Sequence, residues 1–348
     1  MKILDCTLRD GSYAINFQFT RDQTSIICKD LENCKIPYIE IGHGVGLGAS
    51  KSGHGIACES DEIYMQAANE TLSSAMWGMF SIPGISKKDD YYKASDYKMK
   101  FIRIGIDPNN FDQSKEYINL AKKLNFFTCV NFMKSYNIDP KRFSEYALEV
   151  SKLGGDVVYI VDSAGSMLPD QITKYINEIK DKSDKIKIGF HGHDNLGLAT
   201  ANSLKAFELG ADIIDASLLG IGRGAGNTSI EKFVCTLLKV GEDLDIDPIK
   251  LMDVAEKHFE ILNVNNGIDS IDTISGLSSF HSSYMNIIEK YANKYQVDPR
   301  KLIISVCNHN QIDAPIDLVE REAKKLTSLG KDGNWKNLYK KYFGSEQN

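Results

Sequence analysis

The 348-residue sequence lacks four things: a basic block, a long apolar run, a Cys-x-x-Cys pair, and a Gly-x-Gly-x-x-Gly signature after its first candidate strand. No Lys/Arg block of about five or more occurs, and 41 basic against 47 acidic residues give a formal charge of −6. That balance argues against nucleic acid or an anionic membrane as the main partner. The seven cysteines are odd in number and scattered, at Cys6, Cys28, Cys34, Cys58, Cys129, Cys235 and Cys307. They support neither a disulfide framework nor a cysteine zinc site, and they fit a reducing compartment. No stretch of about 18 apolar residues is present and the start has no apolar signal core, so a soluble cytoplasmic protein is expected. The missing glycine signature counts against an open, dinucleotide-binding doubly wound sheet.

What is present is ordinary globular composition, 42% hydrophobic and 25% charged, arranged as short apolar runs alternating with helical-period segments. That alternation is the trace of repeated βα units. Candidate strands are Lys2–Cys6, Pro37–Gly42, Met76–Ile82, Phe101–Ile106, Phe126–Phe132, Val157–Asp162, Ile186–His191 and Asp212–Leu218. Eight strands predict an α/β fold, a (β/α)8 TIM barrel. Thr20 followed by Gln23 predicts a capping box opening a helix over Asp22–Cys34. Leu153-Gly-Gly-Asp-Val-Val and Leu209-Gly-Ala-Asp-Ile-Ile repeat one helix–Gly–strand junction. This reads either as an echo of tandem units or as common loop chemistry.

A barrel of about 250 residues leaves a surplus of about 100. The barrel is placed at residues 1–247 and a C-terminal helical extension at residues 248–348, with helices expected over Phe280–Tyr295 and Ile316–Leu326. The tail from Gly330, with Trp335, Tyr339, Tyr342 and Phe343, reads as a short docking helix with a frayed end.

In such a barrel, function sits where the strands end. Strand one ends in Arg9-Asp10-Gly11-Ser12-Tyr13, strand two in Glu40-Ile41-Gly42-His43, and strand seven in His191-Gly192-His193. Strands four, five and six carry Arg103, Asn131 and Asp162-Ser163. Residues i and i+2 of a strand face the same way, so His191 and His193 can share a metal, with Asp10 as a carboxylate from strand one. A mixed carboxylate–imidazole set suits Mg²⁺, Mn²⁺ or Co²⁺. The loop Gly220-Ile-Gly-Arg-Gly-Ala-Gly226-Asn227 suits close backbone approach to a ligand, and Asn227 could add an amide oxygen to the same ion. Each feature alone also has a plain reading, an incidental histidine pair or a glycine turn.

Together these residues resemble the DRE-type superfamily of metal-dependent TIM-barrel lyases and synthases. That superfamily includes hydroxymethylglutaryl-CoA lyase, isopropylmalate synthase and 4-hydroxy-2-oxovalerate aldolase. The resemblance rests on Asp5-x-Thr7-Leu8-Arg9-Asp10-Gly11, His191-x-His193 and Gly224-Ala-Gly226-Asn227, in that order. Ile41-Gly-His43-Gly44, Val161-Asp162-Ser163-Ala-Gly165 and Ser282-Ser283 are similar to the aldolase branch, whereas His191–Ser203 reads more like the synthases. The synthases' Gly-Glu-Arg is replaced by Gly222-Arg223-Gly224, and the lyase's loop cysteine has no counterpart.

The resemblance implies a divalent-metal-dependent aldolase that cleaves or forms a 4-hydroxy-2-oxo acid through a metal-bound pyruvate enolate. Asp10, His191, His193 and Asn227 would hold Mn²⁺ or Mg²⁺, with Co²⁺ a third option, and Arg9 would neutralise the enolate oxygen. His43, Ser163 and Arg103 are the candidates for substrate contact. The aldolase's basic histidine aligns with Tyr13 and its tyrosine with His281, so the two residue types are exchanged. His281 is therefore expected to take the hydroxyl proton, directly or through Tyr13, unless it is simply an exposed helix residue and Tyr13 a pocket wall. The alternatives are a Claisen-type synthase joining an acyl-CoA to a 2-oxo acid, and a non-catalytic scaffold barrel. Expected partners are a 2-oxo acid and an aldehyde, with a dehydrogenase or a second copy of the chain docking through the C-terminal helices.

Overall fold

An all-parallel sheet needs apolar cover on both faces, and this chain meets that need by closing the sheet on itself. The computed structural model describes residues 1–107, 111–262 and 270–328. The strands are β1 (Lys2–Asp5), β2 (Tyr38–Ile41), β3 (Met76–Ser81), β4 (Phe101–Ile106), β5 (Phe127–Phe132), β6 (Val157–Asp162), β7 (Lys187–Gly192) and β8 (Ile213–Ala216). They form a closed barrel in sequence order. Closure is made by β1 on β8, with Lys2 opposite Ile213 and Asp5 opposite Ala216. The fold is the TIM barrel that the eight-strand pattern predicts.

One helix follows each strand: α1 (Arg21–Asn33), α2 (Asp61–Thr71), α3 (Lys88–Asp96), α4 (Phe111–Lys123), α5 (Pro140–Leu153), α6 (Pro169–Lys182), α7 (Ala199–Glu208) and α8 (Ile230–Lys239). The capping box on α1 is present: Thr20 Oγ1 accepts from Gln23 N at 3.2 Å, and Gln23 Oε1 accepts from Thr20 N at 2.9 Å. The main core lies between strands and helices and is built from residues such as Ile27, Leu31, Ile39, Ile104, Phe143, Ile176 and Phe233. A smaller cluster, including Leu4, Phe101, Val157 and Tyr159, fills the barrel interior.

After α8 the strands stop. The chain continues as α9 (Pro248–Lys257), α10 (Phe259–Leu262), α11 (Ser270–Ser278), α12 (Met285–Tyr295), α13 (Pro299–Cys307) and α14 (Ile316–Ser328). Residues of α11–α14 bury a second core of their own around Ile288, Leu302, Val306 and Val319. The helix expected over Phe280–Tyr295 starts only at Met285. His281 is extended, its ring caps a 3₁₀ turn at Ser282–Tyr284 by accepting from Ser283 N, and this turn precedes the helix. Likewise β1 ends at Asp5, because the Cys6 carbonyl accepts from the N–H groups of Arg9, Asp10 and Gly11 and turns the chain. The tail from Gly330, including Trp335, Tyr339, Tyr342 and Phe343, lies outside the described residues. No helix among the described residues is long and apolar enough to cross a membrane.

Thr20→Ala removes the cap oxygen and is expected to cost about 1 kcal/mol. Urea unfolding checks this, and an unmoved midpoint would show that the cap contributes nothing.

Candidate active site

The C-terminal ends of the strands surround one cavity, whose walls include Arg9, Asp10, Tyr13, Asn131, Ser163, His191, His193, Arg223 and His281. At its base, one ligand atom each from Asp10, His191 and His193 lies within 4.8 Å of the others, and all three residues are buried. Their surroundings fix the protonation of both rings. His191 Nδ1 lies 2.8 Å from the Asp215 carboxylate, which can only accept, so Nδ1 carries the hydrogen. His193 Nδ1 donates to the Gly226 carbonyl at 3.1 Å for the same reason. The two Nε2 atoms, 3.4 Å apart, therefore face each other as lone pairs. Such an arrangement is poor between themselves and right for a shared cation, with each ring steadied by a hydrogen bond behind it. Burial pushes His193 down to about 3, keeping it a neutral donor atom. Burial alone would raise Asp10, but Arg9 foremost, then His193, His191 and Arg223, holds it well below the usual carboxylate range. The residues fit a divalent metal.

Beneath them runs a buried ionic chain. Arg9 Nη1 meets Asp10 at 2.5 Å and its Nε meets Glu40 at 2.8 Å. The same Glu40 oxygen takes Arg103 Nη1 at 2.6 Å. Arg103 Nη2 pairs with Asp215, which in turn orients His191. Arg103 also lies over the Tyr159 ring, 4.7 Å from its centroid. Gly189 makes room for that ring, since a Cβ there would come within 2.5 Å of it. Burial alone would raise Asp215, but Arg103 and His191 hold it below its usual range.

A family model described as HMGL-like matches residues 1–257. The chain belongs to the HMGL-like family. A curated 4-hydroxy-2-oxovalerate aldolase of Geobacillus genomosp. 3 is 34% identical over 329 residues, covering 94% of this chain and 97% of that protein. An oxaloacetate decarboxylase of Mycobacterium tuberculosis is 37% identical over 253 residues, covering 73% and 74%. Among solved structures, the N-terminal domain of a putative aldolase from Bacteroides vulgatus superposes with a TM-score of 0.71 at 25% identity, covering 84% of this chain and 97% of that one. An HMG-CoA lyase from Bacillus subtilis, at 17% identity and a TM-score of 0.65, covers 75% and 93% and shares the fold.

In this HMGL-like barrel, Arg9, Asp10, Tyr13, Ser163, His191, His193 and His281 all line the one cavity. Tyr13 reaches it because Gly44 opposite has no side chain, where a Cβ would sit 2.7 Å from the tyrosine ring. Three further candidates have specific surroundings. Arg103 is fully buried, with Nη1 on Glu40 and Nη2 on Asp215, and so supports the floor beneath the cavity. His43 lies behind the wall, stacked on Phe17 at 3.9 Å, with Nδ1 accepting from Val45 N, so it shapes the loop that presents Gly44 and Val45. Asn227 turns its amide nitrogen to Asp10 at 2.8 Å and to the Ile221 carbonyl, bracing the carboxylate, and its buried Oδ1 has no hydrogen-bond partner.

Sequence reasoning gave no role to Asp215, Glu40 or Arg223. The signal for Asp215 was a lone carboxylate within the apolar strand Ile213–Ala216. Arg223 stood in the glycine loop and was read only as a departure from the synthase pattern. It now joins the barrel to the C-terminal block by donating to Ser163 O at 3.1 Å and Ser282 Oγ at 2.7 Å.

Arg103→Met leaves two buried carboxylates without their shared cation and is expected to cost about 3–5 kcal/mol in urea unfolding. A loss under about 1 kcal/mol would mean the network does not hold the floor. His43 gives a pH test. Burial pushes it from 6.5 down to about 4, so between these values the unfolded chain binds the proton that folded His43 refuses. Stability should fall as pH drops through that window, by up to about 3 kcal/mol. His43→Gln should flatten this slope, and an equally steep profile in the variant would assign the effect elsewhere.

Proposed function

We propose that the chain is a divalent-metal-dependent carbon–carbon lyase that cleaves a 4-hydroxy-2-oxo acid to pyruvate and an aldehyde, or joins them. The carrying observation is the Asp10–His191–His193 group with two opposed Nε2 lone pairs and the Arg9 guanidinium 2.5 Å from Asp10. A divalent cation bound there, with Mn²⁺ or Mg²⁺ favoured and Co²⁺ compatible with the same donors, would supply Lewis-acid polarisation of the 2-oxo acid. Arg9 offers a permanent charge and a planar fork to the oxygen on which negative charge develops as the bond breaks. That guanidinium is backed by the Phe80 ring, 4.8 Å from its centroid, and fixed by Glu40. Phe80, Ile82, Met133 and Val161 give the cavity apolar walls, which limit water around the reacting atoms.

A second reading is favoured by Arg223 on the cavity wall. Its guanidinium suits a second carboxylate on the substrate. A 2-oxo acid with that carboxylate on C3 would release CO2 by breaking the bond to C3, leaving the electron pair in the same pyruvate enolate. A dehydrogenase or a second copy of the chain docked on the C-terminal helices belongs to the same proposal. So does a cytoplasmic setting, which seven free cysteines support.

Protein loaded with Mn²⁺ is expected to exchange the methyl protons of pyruvate with solvent without any CoA ester. Arg9→Lys should slow exchange by about 10²–10³-fold while Mn²⁺ affinity changes little. Absence of exchange and of aldehyde release from every 4-hydroxy-2-oxo acid tried would overturn the aldolase reading. Faster CO2 release from oxaloacetate would select the second.

A further inference from the structure

His281 lines the cavity with its ring held at one nitrogen. Around Nδ1 stand Arg223 Nη1 at 3.3 Å, the backbone nitrogen of Ser283 at 3.3 Å and Ser283 Oγ at 2.6 Å. A guanidinium N–H and a backbone N–H are donors only, and the serine hydroxyl can donate as well. Three groups directed at one ring nitrogen are satisfied together only when that nitrogen presents its lone pair. The ring's single hydrogen must then sit on Nε2, the nitrogen left over for the cavity.

Arg223 is itself fixed. It donates to Ser282 Oγ and to the Ser163 carbonyl, and its backbone N–H reaches Asp10 Oδ2 at 3.3 Å. We propose that His281 acts as a fixed, neutral hydrogen-bond donor through Nε2 to the substrate oxygen at the carbon being cleaved, with Arg223 and Ser283 as the positioning groups that set its tautomer. This rests on the lyase reading for the identity of that oxygen, but the tautomer stands independently of it. It replaces the expectation that His281 accepts the hydroxyl proton. Nε2 already carries a hydrogen, and Nδ1 is enclosed by donors, so the ring stabilises charge on oxygen without exchanging a proton. The hydroxyl proton, freed as C=O forms and the carbon–carbon pair passes to the enolate, leaves to solvent water through the cavity mouth.

The surroundings agree with a neutral ring. The charged and titratable groups acting on it are Arg223, Lys134, His193 and, with opposite sign, Asp10, and the Tyr284 ring lies 6.0 Å away. Burial first, then the Arg223 and Lys134 charges, holds His281 well below its usual value.

The test has two arms. In metal-free protein labelled with ¹⁵N-histidine, long-range proton–nitrogen correlation reads each ring's tautomer, and His281→Gln identifies the signal. The expected result is the Nε2–H form between about pH 6 and 8. An Nδ1–H form, or an imidazolium appearing near the ordinary value, overturns the proposal. Arg223→Met should admit a second tautomer or a charged ring within that range, and an unchanged signal would remove Arg223 from the positioning role. In turnover, His281→Gln keeps an N–H donor that takes up no proton and should lose no more than about tenfold, whereas His281→Leu should lose about 10²–10³-fold. Equal inactivity of both variants would restore the base role. If wild-type protein turns over no 2-oxo acid, the lyase reading fails while the spectroscopic arm still decides the tautomer.

Discussion

Everything at the mouth of this barrel depends on one buried run of alternating charges: Asp10, Arg9, Glu40, Arg103, Asp215 and then the His191 ring. Both of its ends are residues that could hold a metal. Taking five ionised groups out of water is expensive, and such a set survives only when each charge meets an opposite charge with good geometry. The barrel meets that condition by topology. Glu40 comes from β2, Arg103 from β4 and Asp215 from β8, so three strands far apart in sequence are tied across the interior by one guanidinium. The chain therefore keeps a polar layer where an apolar one would pack more easily. In return, it gains fixed orientations for Arg9, Asp10 and His191, as preorganised catalysis requires.

A second tie works from above. The C-terminal helices bury their own core, so their placement over the barrel relies on specific bonds. Arg223 supplies one set, to Ser282 and His281. Lys134 supplies another, donating to Tyr284 OH at 2.9 Å and to the Ile312 carbonyl at 3.2 Å. Asn195 Nδ2 donates to the Asp272 carbonyl at 3.1 Å. These contacts leave from the loops after β5, β7 and β8, on the same end of the barrel as the cavity. The extension is thus part of the site's wall, to which it contributes His281 and Ser283.

The sequence made the barrel legible because strand and helix periods differ sharply and each strand slot held an apolar run. The strand boundaries moved by a residue or two where a carbonyl such as that of Cys6 turned the chain. Asp10, His191 and His193 were legible because strand alternation and position at strand ends are local properties. The depth of Arg103 was less legible: it is the third residue of a six-residue strand, so its inward side chain lies in the middle layer beneath the mouth. Asp215 and Arg223 stayed hidden because their roles are set by residues 112 and 58–60 positions away in the chain. The tautomer of His281 was likewise invisible, since it depends on which donors fold back against Nδ1.

Charge arithmetic at the site narrows what it can bind. Arg9, Arg103 and Arg223 stand with Asp10, Glu40 and Asp215, three guanidinium groups against three carboxylates. Two nearby carboxyls, Asp5 and Asp162, are pushed up by burial to about 7 and about 6, so near neutral pH Asp5 is about half ionised and Asp162 mostly ionised. The site is about one unit negative before a cation arrives, and a divalent cation would leave it slightly positive. A 2-oxo acid brings one negative charge in its carboxylate and develops a second on the oxygen as the bond breaks. The slight positive excess draws the substrate carboxylate, and the charge developing on the oxygen beside the Arg9 guanidinium strengthens that attraction in the transition state, where catalysis needs it. A chain with a formal charge of −6 can thus attract a small anion through its interior while its surface remains acidic.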